Sequence, residues 1–136
     1  MRKFKRLTKI AKKLRSPKGC PWDRSRKLED MPKYMREEIE EVIEAIEKND
    51  PENLKEEIGD ILFTLILTAQ IAEEEGKFRM EDVLKGIEKK IIERHTWVFG
   101  KDKVNTPEEA LVKWNENKSA ERSKAPSKKT HKQTKK

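Results

Sequence analysis

The chain has 136 residues, of which 43% are charged and 33% hydrophobic, a composition that is polar but still compatible with one folded core. Its longest apolar run, ILFTLIL, is far too short to cross a bilayer, so no membrane partner is predicted. One cysteine, Cys20, excludes an internal disulfide framework. Together with the lack of a signal-like apolar stretch, it predicts a cytoplasmic protein.

The net charge of +7 is distributed unevenly along the chain. Residues 1–18 hold nine basic side chains and no acidic one, and residues 123–136 hold six lysines and no acidic residue. The stretch between them carries 18 basic and 26 acidic residues. Residues 123–136 also lack apolar periodicity, which predicts a disordered lysine-rich tail after a helical domain over 1–122. A solubilising tail is the preferred interpretation, with weak nucleic-acid contact as the alternative.

Every predicted element is a helix, beginning with a narrow apolar stripe over 4–14. A loop follows over 16–23, because two prolines and a glycine interrupt any helix there, and Asp23 or Ser25 is predicted to cap a short helix before Pro32. The other helices are predicted over 32–48, 51–75, 80–98 and from 107 onward, with Asp50 and Thr106 as N-caps and Gly76 as C-cap. This pattern predicts an all-α bundle of about five helices.

Two pairs of carboxylates carry the strongest functional signal. Glu38 and Glu41 lie in REEIEEVIEAI, and Glu57 and Asp60 lie in KEEIGDILFTLIL, each pair at i, i+3 on one helix face. The second pair opens the most apolar helix, where unpaired charge is costly. Four carboxylates on two helices therefore predict an all-oxygen site for a hard cation such as Mg²⁺. The alternative is an ordinary solvated glutamate face.

The position of the first carboxylate pair on its helix refines that hypothesis. An apolar stripe on the helix over 32–48 leaves Glu38 and Glu41 on its flank, in a band shared with Tyr34 and Ala45. The members of the stripe are Ile39, Val42, Ile43 and Ile46.

A second candidate cluster lies on the helix predicted over 80–98. Lys90, Arg94 and Trp97 share one flank, beside an apolar row of Val83, Leu84, Ile87 and Ile91 that is predicted to face inward. Lysine and arginine beside a metal suit the binding of phosphates, and tryptophan suits stacking on a base. Cations that extend from an apolar surface into water, without a ligand, are the alternative.

Several motifs in order resemble the MazG family of nucleoside triphosphate pyrophosphohydrolases, over residues 4–122. They are the CPWD loop, EExxE, EEIGD, the RHTWVFG segment and the late string WNENKSAER. The resemblance implies an all-α enzyme, here with one MazG domain, that cleaves nucleoside triphosphates between the α and β phosphates. The products are a nucleoside monophosphate and pyrophosphate, with Mg²⁺ as cofactor and Mn²⁺ as a possible substitute. HTW stands where members often have HPH, and the lysine-rich tail lies outside the family pattern.

The resemblance also implies roles for individual residues. Glu38, Glu41, Glu57 and Asp60 correspond to metal ligands, and Glu37 and Glu56 to acidic neighbours in the same motifs. Lys90 and Arg94 correspond to residues that contact the triphosphate, and Trp114 to a tryptophan that contacts the nucleotide. Glu38 is the preferred candidate for the group that orients or deprotonates the attacking water, with Glu37 as the second choice.

The helix over 51–75 is apolar around most of its circumference, more than a small monomer readily covers, so a homodimer or higher oligomer is predicted. MazG-like proteins typically assemble in this way. Two alternatives to the enzyme remain: a non-catalytic helical protein that binds nucleic acid through its basic ends, and a helical scaffold whose glutamates are only surface.

Overall fold

The computed structural model describes residues 2–124, and between them it contains helices and no strand. The α-helices are α1 (Arg2–Leu14), α2 (Pro21–Arg24), α3 (Met31–Glu47), α4 (Pro51–Glu74), α5 (Met80–Arg94), α6 (Thr96–Phe99) and α7 (Pro107–Ser123), and one 3-10 turn spans Leu28–Asp30. The all-α prediction is confirmed, since five long helices occupy the predicted regions, and α2 and α6 are single turns of four residues. The predicted disordered tail lies almost wholly outside the described residues.

Local sequence signals set most helix boundaries. The Asp50 carboxylate accepts a hydrogen bond from the backbone N–H of Asn53, and the Thr106 hydroxyl accepts one from Glu109, as N-caps do. Gly76, at φ 74°, ends α4 in the left-handed conformation that glycine adopts without strain. The N–H of Lys77 then bonds to the carbonyl of Ala72, which completes a Schellman ending. These three predicted caps are confirmed.

Two predicted boundaries were wrong. Neither Asp23 nor Ser25 is an N-cap. The first short helix, α2, begins at Pro21 with Cys20 as its N-cap, and it contains Asp23 and ends with Ser25 as its C-cap. The second, a single 3-10 turn over Leu28–Asp30, has Lys27 as its N-cap. The fixed φ of proline suits the first helical position, and this preference outweighs that of Asp23 for a cap. The helix predicted to reach residue 98 ends instead at Arg94, where the His95 ring bonds to the carbonyl of Ile91 and Asn117 donates to the carbonyl of Arg94.

The chain forms two compact units, and the boundary between them along the sequence lies between Val83 and Leu84. In the first unit, α3 and α1 both pack against α4. The buried core there consists of Ala11, Met31, Ile66, Leu67 and Ile71, with partly buried side chains such as Phe4, Leu7, Tyr34 and Phe63 around it. This packing places the first turns of α4 beside the middle of α3. Among the described helices, none is long and apolar enough to cross a membrane.

The α5 row of Val83, Leu84, Ile87 and Ile91, predicted to face inward, is instead exposed. Ile39, Ile43 and Ile46, from the apolar stripe of α3, also lie on the surface. The face of α3 that packs inward is the neighbouring band with Met31, Tyr34, Met35 and Ala45. Its small and long, flexible side chains permit close contact with α4, and the isoleucine stripe remains uncovered in the single chain.

Candidate metal centre

The packing of α3 on α4 brings three of the four predicted ligands together. One carboxylate oxygen from each of Glu38, Glu41 and Glu57 lies within 4.8 Å of the other two. Glu38 and Glu41 come from one face of α3, as their i, i+3 spacing requires, and Glu57 comes from the second turn of α4. The cluster therefore joins two helices with three negatively charged groups.

Two oxygens of this cluster are buried without any hydrogen-bond donor. Glu38 Oε2 and Glu57 Oε1 are shielded from solvent and have no partner among residues 2–124. A buried carboxylate oxygen without a donor or cation is costly, and three such groups repel one another. Oxygen donors of this kind are the preferred ligands of Mg²⁺ and Mn²⁺, so the residues present fit a hard divalent cation.

The pKa values of Glu38 and Glu57 reflect the same burial and charge repulsion. Burial, and then the charges of Glu41, Asp60 and Glu37, raise the pKa of Glu38 above its ordinary value. Burial, and then the charges of Glu41, Asp60 and Glu38, raise the pKa of Glu57 in the same direction. The neighbouring carboxylates thus disfavour the ionised form of both groups, and a bound cation would reverse that preference.

The remaining acidic candidates surround this trio. Asp60 lies one turn after Glu57 on α4, with an exposed side chain close enough for its charge to raise both shifted pKa values. It is not one of the three residues whose oxygens converge. Glu37 and Glu56 are exposed and adjacent in sequence to Glu38 and Glu57. Their positions place them at the edge of the cluster.

The predicted phosphate-binding and nucleotide-binding residues lie in the second unit. Lys90 is exposed on α5 and lines an open groove of about 610 Å³ with Lys89, Asn117 and Lys124. Arg94 is 7% exposed and forms an ion pair with Glu121, with 3.0 Å between Nη2 and Oε1. Sequence reasoning did not identify Glu121, because nothing in its local spacing marks it as a partner 27 residues away.

Two tryptophans of the second unit are already in contact with polar side chains. Trp114 is half-buried, and Arg94 and Lys118 each lie 5.1 Å from its ring centroid. Trp97 packs against the His95 ring at 5.1 Å. Asn117, which sequence reasoning also missed, donates to the Arg94 carbonyl and the Thr96 hydroxyl and so joins α7 to the end of α5.

Comparison with known proteins identifies the class to which this fold and site belong. The MazG nucleotide pyrophosphohydrolase domain family matches residues 26–99, a region that includes the carboxylate cluster. The chain belongs to this family.

Individual relatives of this chain carry names that agree with this family. A nucleoside triphosphate pyrophosphohydrolase/pyrophosphatase MazG from Thermotoga maritima is 41% identical over 121 residues, which is 89% of this chain and 46% of that protein. A nucleoside triphosphate pyrophosphohydrolase from Escherichia coli K12 is 37% identical over 123 residues, 90% of this chain and 47% of that protein. This chain thus spans less than half the length of these curated relatives.

A solved structure has the same fold, and the match extends over almost the whole length of the solved chain. The crystal structure of a MazG-related protein from Thermotoga maritima matches with a TM-score of 0.71 and 36% identity. The match covers 85% of this chain and 98% of that one.

Proposed function

We propose that this protein hydrolyses nucleoside triphosphates between the α and β phosphates, giving a nucleoside monophosphate and pyrophosphate. Family membership and the names of the relatives supply the reaction class. The observation that carries the proposal within this chain is the cluster of Glu38, Glu41 and Glu57, which holds two buried oxygens without donors. Nucleotide-pool housekeeping in the cytoplasm is the proposed role.

The proposed cofactor is Mg²⁺, with Mn²⁺ as a substitute. Glu38, Glu41 and Glu57 would hold the cation, and Asp60 would complete the oxygen ligands from the adjacent turn of α4. When bound, the cation offsets the negative charge of the phosphate oxygens. By holding the cation, the carboxylates of the chain would fix the position of the phosphates relative to α3 and α4.

Glu38 is the proposed general base. Its carboxylate would accept the proton of the attacking water, whose oxygen forms the new bond to phosphorus as the bond to the bridging oxygen breaks. A carboxylate that is not fully committed to the cation can orient or deprotonate that water. Glu37, exposed on the adjacent position, is the second choice for this role.

The remaining predicted residues are proposed to bind substrate. Lys90 would contact the triphosphate through its exposed ammonium, and Arg94 would do so by sharing its guanidinium between Glu121 and a phosphate. Their charge would stabilise the departing pyrophosphate. Trp114 would contact the nucleotide, and Glu56 would contribute to binding from the edge of the acidic cluster.

The test is the release of pyrophosphate from a panel of ribo- and deoxyribonucleoside triphosphates with Mg²⁺, with Mn²⁺ and with EDTA. We expect pyrophosphate and monophosphate in equal amounts with either metal and none with EDTA. Glu41→Ala and Asp60→Ala should lose turnover and keep their helix content. Glu40→Ala, at an exposed position of α3, is the matched control and should retain activity. Orthophosphate with diphosphate as products would show that a different bond is cut and would refute the proposal.

A further inference from the structure

Trp22 is an unusually exposed aromatic side chain that its neighbours nevertheless hold in place. Its surface is 52% exposed, although large aromatic residues are mostly buried in folded proteins. The guanidinium carbon of Arg26 lies 4.6 Å from the centroid of the indole ring. The Tyr34 ring lies 5.5 Å away at an interplanar angle of 72°, an edge-to-face contact. More than half of the residue is thus available to a ligand.

The backbone that carries Trp22 is tied to two long helices. The Arg15 guanidinium donates to the carbonyls of Asp23 and Arg26 and also bonds to the carboxylate of Glu74 on α4, at 2.9 Å. Burial alone would raise the pKa of Glu74, but the hydrogen bonds from Arg15 and Gln70 outweigh it and lower that pKa, which keeps the pair charged. The Ser25 hydroxyl donates a hydrogen bond to the Trp22 carbonyl and so stabilises this turn. An exposed ring on an anchored segment is preorganised for binding.

Trp22 is also connected to the carboxylate cluster through Tyr34. Arg26 donates from Nη1 to the Tyr34 hydroxyl at 2.9 Å. Tyr34 precedes Glu38 by four residues on α3, so both side chains lie on the same helix face, separated by a rise of about 6 Å. All of these residues belong to the first unit. The indole therefore contacts the residue that lies one turn before Glu38 on α3, the helix that supplies two of the three converging carboxylates.

We infer that Trp22 is the platform on which the base of the nucleotide stacks, with Arg26 and Tyr34 fixing the orientation of its ring. This inference rests on the proposed function and names a subsite of the same site. Any base has a π-face, so a stacking platform binds purines and pyrimidines alike, and the larger purines gain more contact. The platform would raise affinity for the base-bearing substrate and take no part in the chemical step.

The test compares Trp22→Leu, which removes the aromatic face, with Trp22→Phe, which keeps one. Calorimetry with Mg²⁺ would measure the Kd of an α,β-methylene nucleoside triphosphate and of ribose 5′-triphosphate, which has no base. We expect Trp22→Leu to weaken binding of the nucleotide by about 10- to 100-fold and to leave ribose triphosphate unchanged. Trp22→Phe should stay close to wild type. Phe78→Ala, an exposed aromatic beyond the far end of α4, is the matched control.

The outcomes separate this inference from the proposed function. An active wild-type enzyme whose nucleotide Kd is the same in Trp22→Leu would refute the base platform and leave the hydrolysis proposal standing. Loss of nucleotide affinity in Trp114→Leu, with none in Trp22→Leu, would move the base to the second unit and also refute it. Trp22-dependent binding by a wild-type protein that releases no pyrophosphate would support the platform and overturn the reaction.

Discussion

At the scale of single residues, the carboxylates of Glu38, Glu41 and Glu57 conflict with folding stability unless a cation is bound. The raised pKa values of Glu38 and Glu57 mean that both groups bind protons more tightly in the folded chain than in the unfolded one. Their ionised forms therefore destabilise the metal-free fold at neutral pH. Sites that trade stability for function in this way are common in enzymes.

Neutralising Glu57 should stabilise the metal-free protein. In EDTA at pH 7.5, Glu57→Gln should melt at a higher temperature than wild type, because it removes one repelling charge. The advantage should shrink as pH falls through the raised pKa of Glu57 toward the ordinary pKa of 4.5 for a glutamate, because the wild-type carboxyl also becomes neutral there. Thermal scans across that range, with exposed Glu40→Gln as control, test the sign. A Glu57→Gln protein that melts lower than wild type in EDTA would contradict this prediction.

Adding Mg²⁺ should reverse that order. A ligand present at 100 times its Kd stabilises the folded state by about 2.7 kcal/mol, so wild-type protein should melt at a higher temperature in MgCl₂ than in EDTA. Glu57→Gln should gain less, because it lacks one anionic ligand. Differential scanning calorimetry with MgCl₂ and with NaCl at equal ionic strength separates binding from screening. Equal responses of the two proteins would argue against Glu57 as a ligand.

At the scale of secondary structure, short-range signals account for where most helices begin and end, and longer-range contacts account for the exceptions. Asp50 caps α4 and Thr106 caps α7. Each side chain accepts a hydrogen bond from the backbone N–H of the residue three positions later. The end of α5 depends instead on Asn117, which belongs to α7. Its side-chain Nδ2 donates a hydrogen bond of 3.1 Å to the Arg94 carbonyl. That bond satisfies a terminal carbonyl that would otherwise lack a partner within its helix.

Replacing Asn117 should loosen the junction between α5 and α6. We expect Asn117→Ala to lower the free energy of unfolding by about 1–3 kcal/mol, because the Arg94 carbonyl and the Thr96 hydroxyl lose their shared donor. Hydrogen exchange should rise at residues 94–97. Urea denaturation and exchange mass spectrometry measure the two effects. Asn115→Ala, at an exposed position of the same helix, should change neither, and an equal effect in both variants would refute the assigned role.

At the scale of the whole molecule, much apolar surface remains uncovered in the single chain. Ile39, Ile43 and Ile46 form an exposed row on α3, and Ile58, Leu62 and Leu65 form one on α4, both with i, i+4, i+7 spacing. Rows of this kind in neighbouring helices are typical of subunit interfaces. The prediction of a homodimer or higher oligomer therefore stands as a proposal for both helices.

Light scattering coupled to size exclusion tests that proposal. Wild-type protein at micromolar concentration should elute as a dimer or larger species. Leu62→Glu should shift it toward the monomer, because a charge placed in the apolar row must lose its hydration when a second chain covers it. Asn115→Glu, at an exposed position of α7, makes the same change in charge of −1 away from the row and is the control. A wild-type protein that is monomeric at all concentrations would rule out this assembly.

The sequence by itself determined the helical class, the caps at Asp50, Thr106 and Gly76, and the two i, i+3 carboxylate pairs. These features depend on residues within one or two turns of each other, and their hydrogen bonds form without the rest of the protein. Only the tertiary structure decided which face of α3 packs on α4, that Glu57 joins Glu38 and Glu41, and that Arg94 pairs with Glu121. Those outcomes depend on contacts between distant segments, because the free energy of packing, and not local periodicity alone, selects the face of a helix that is buried.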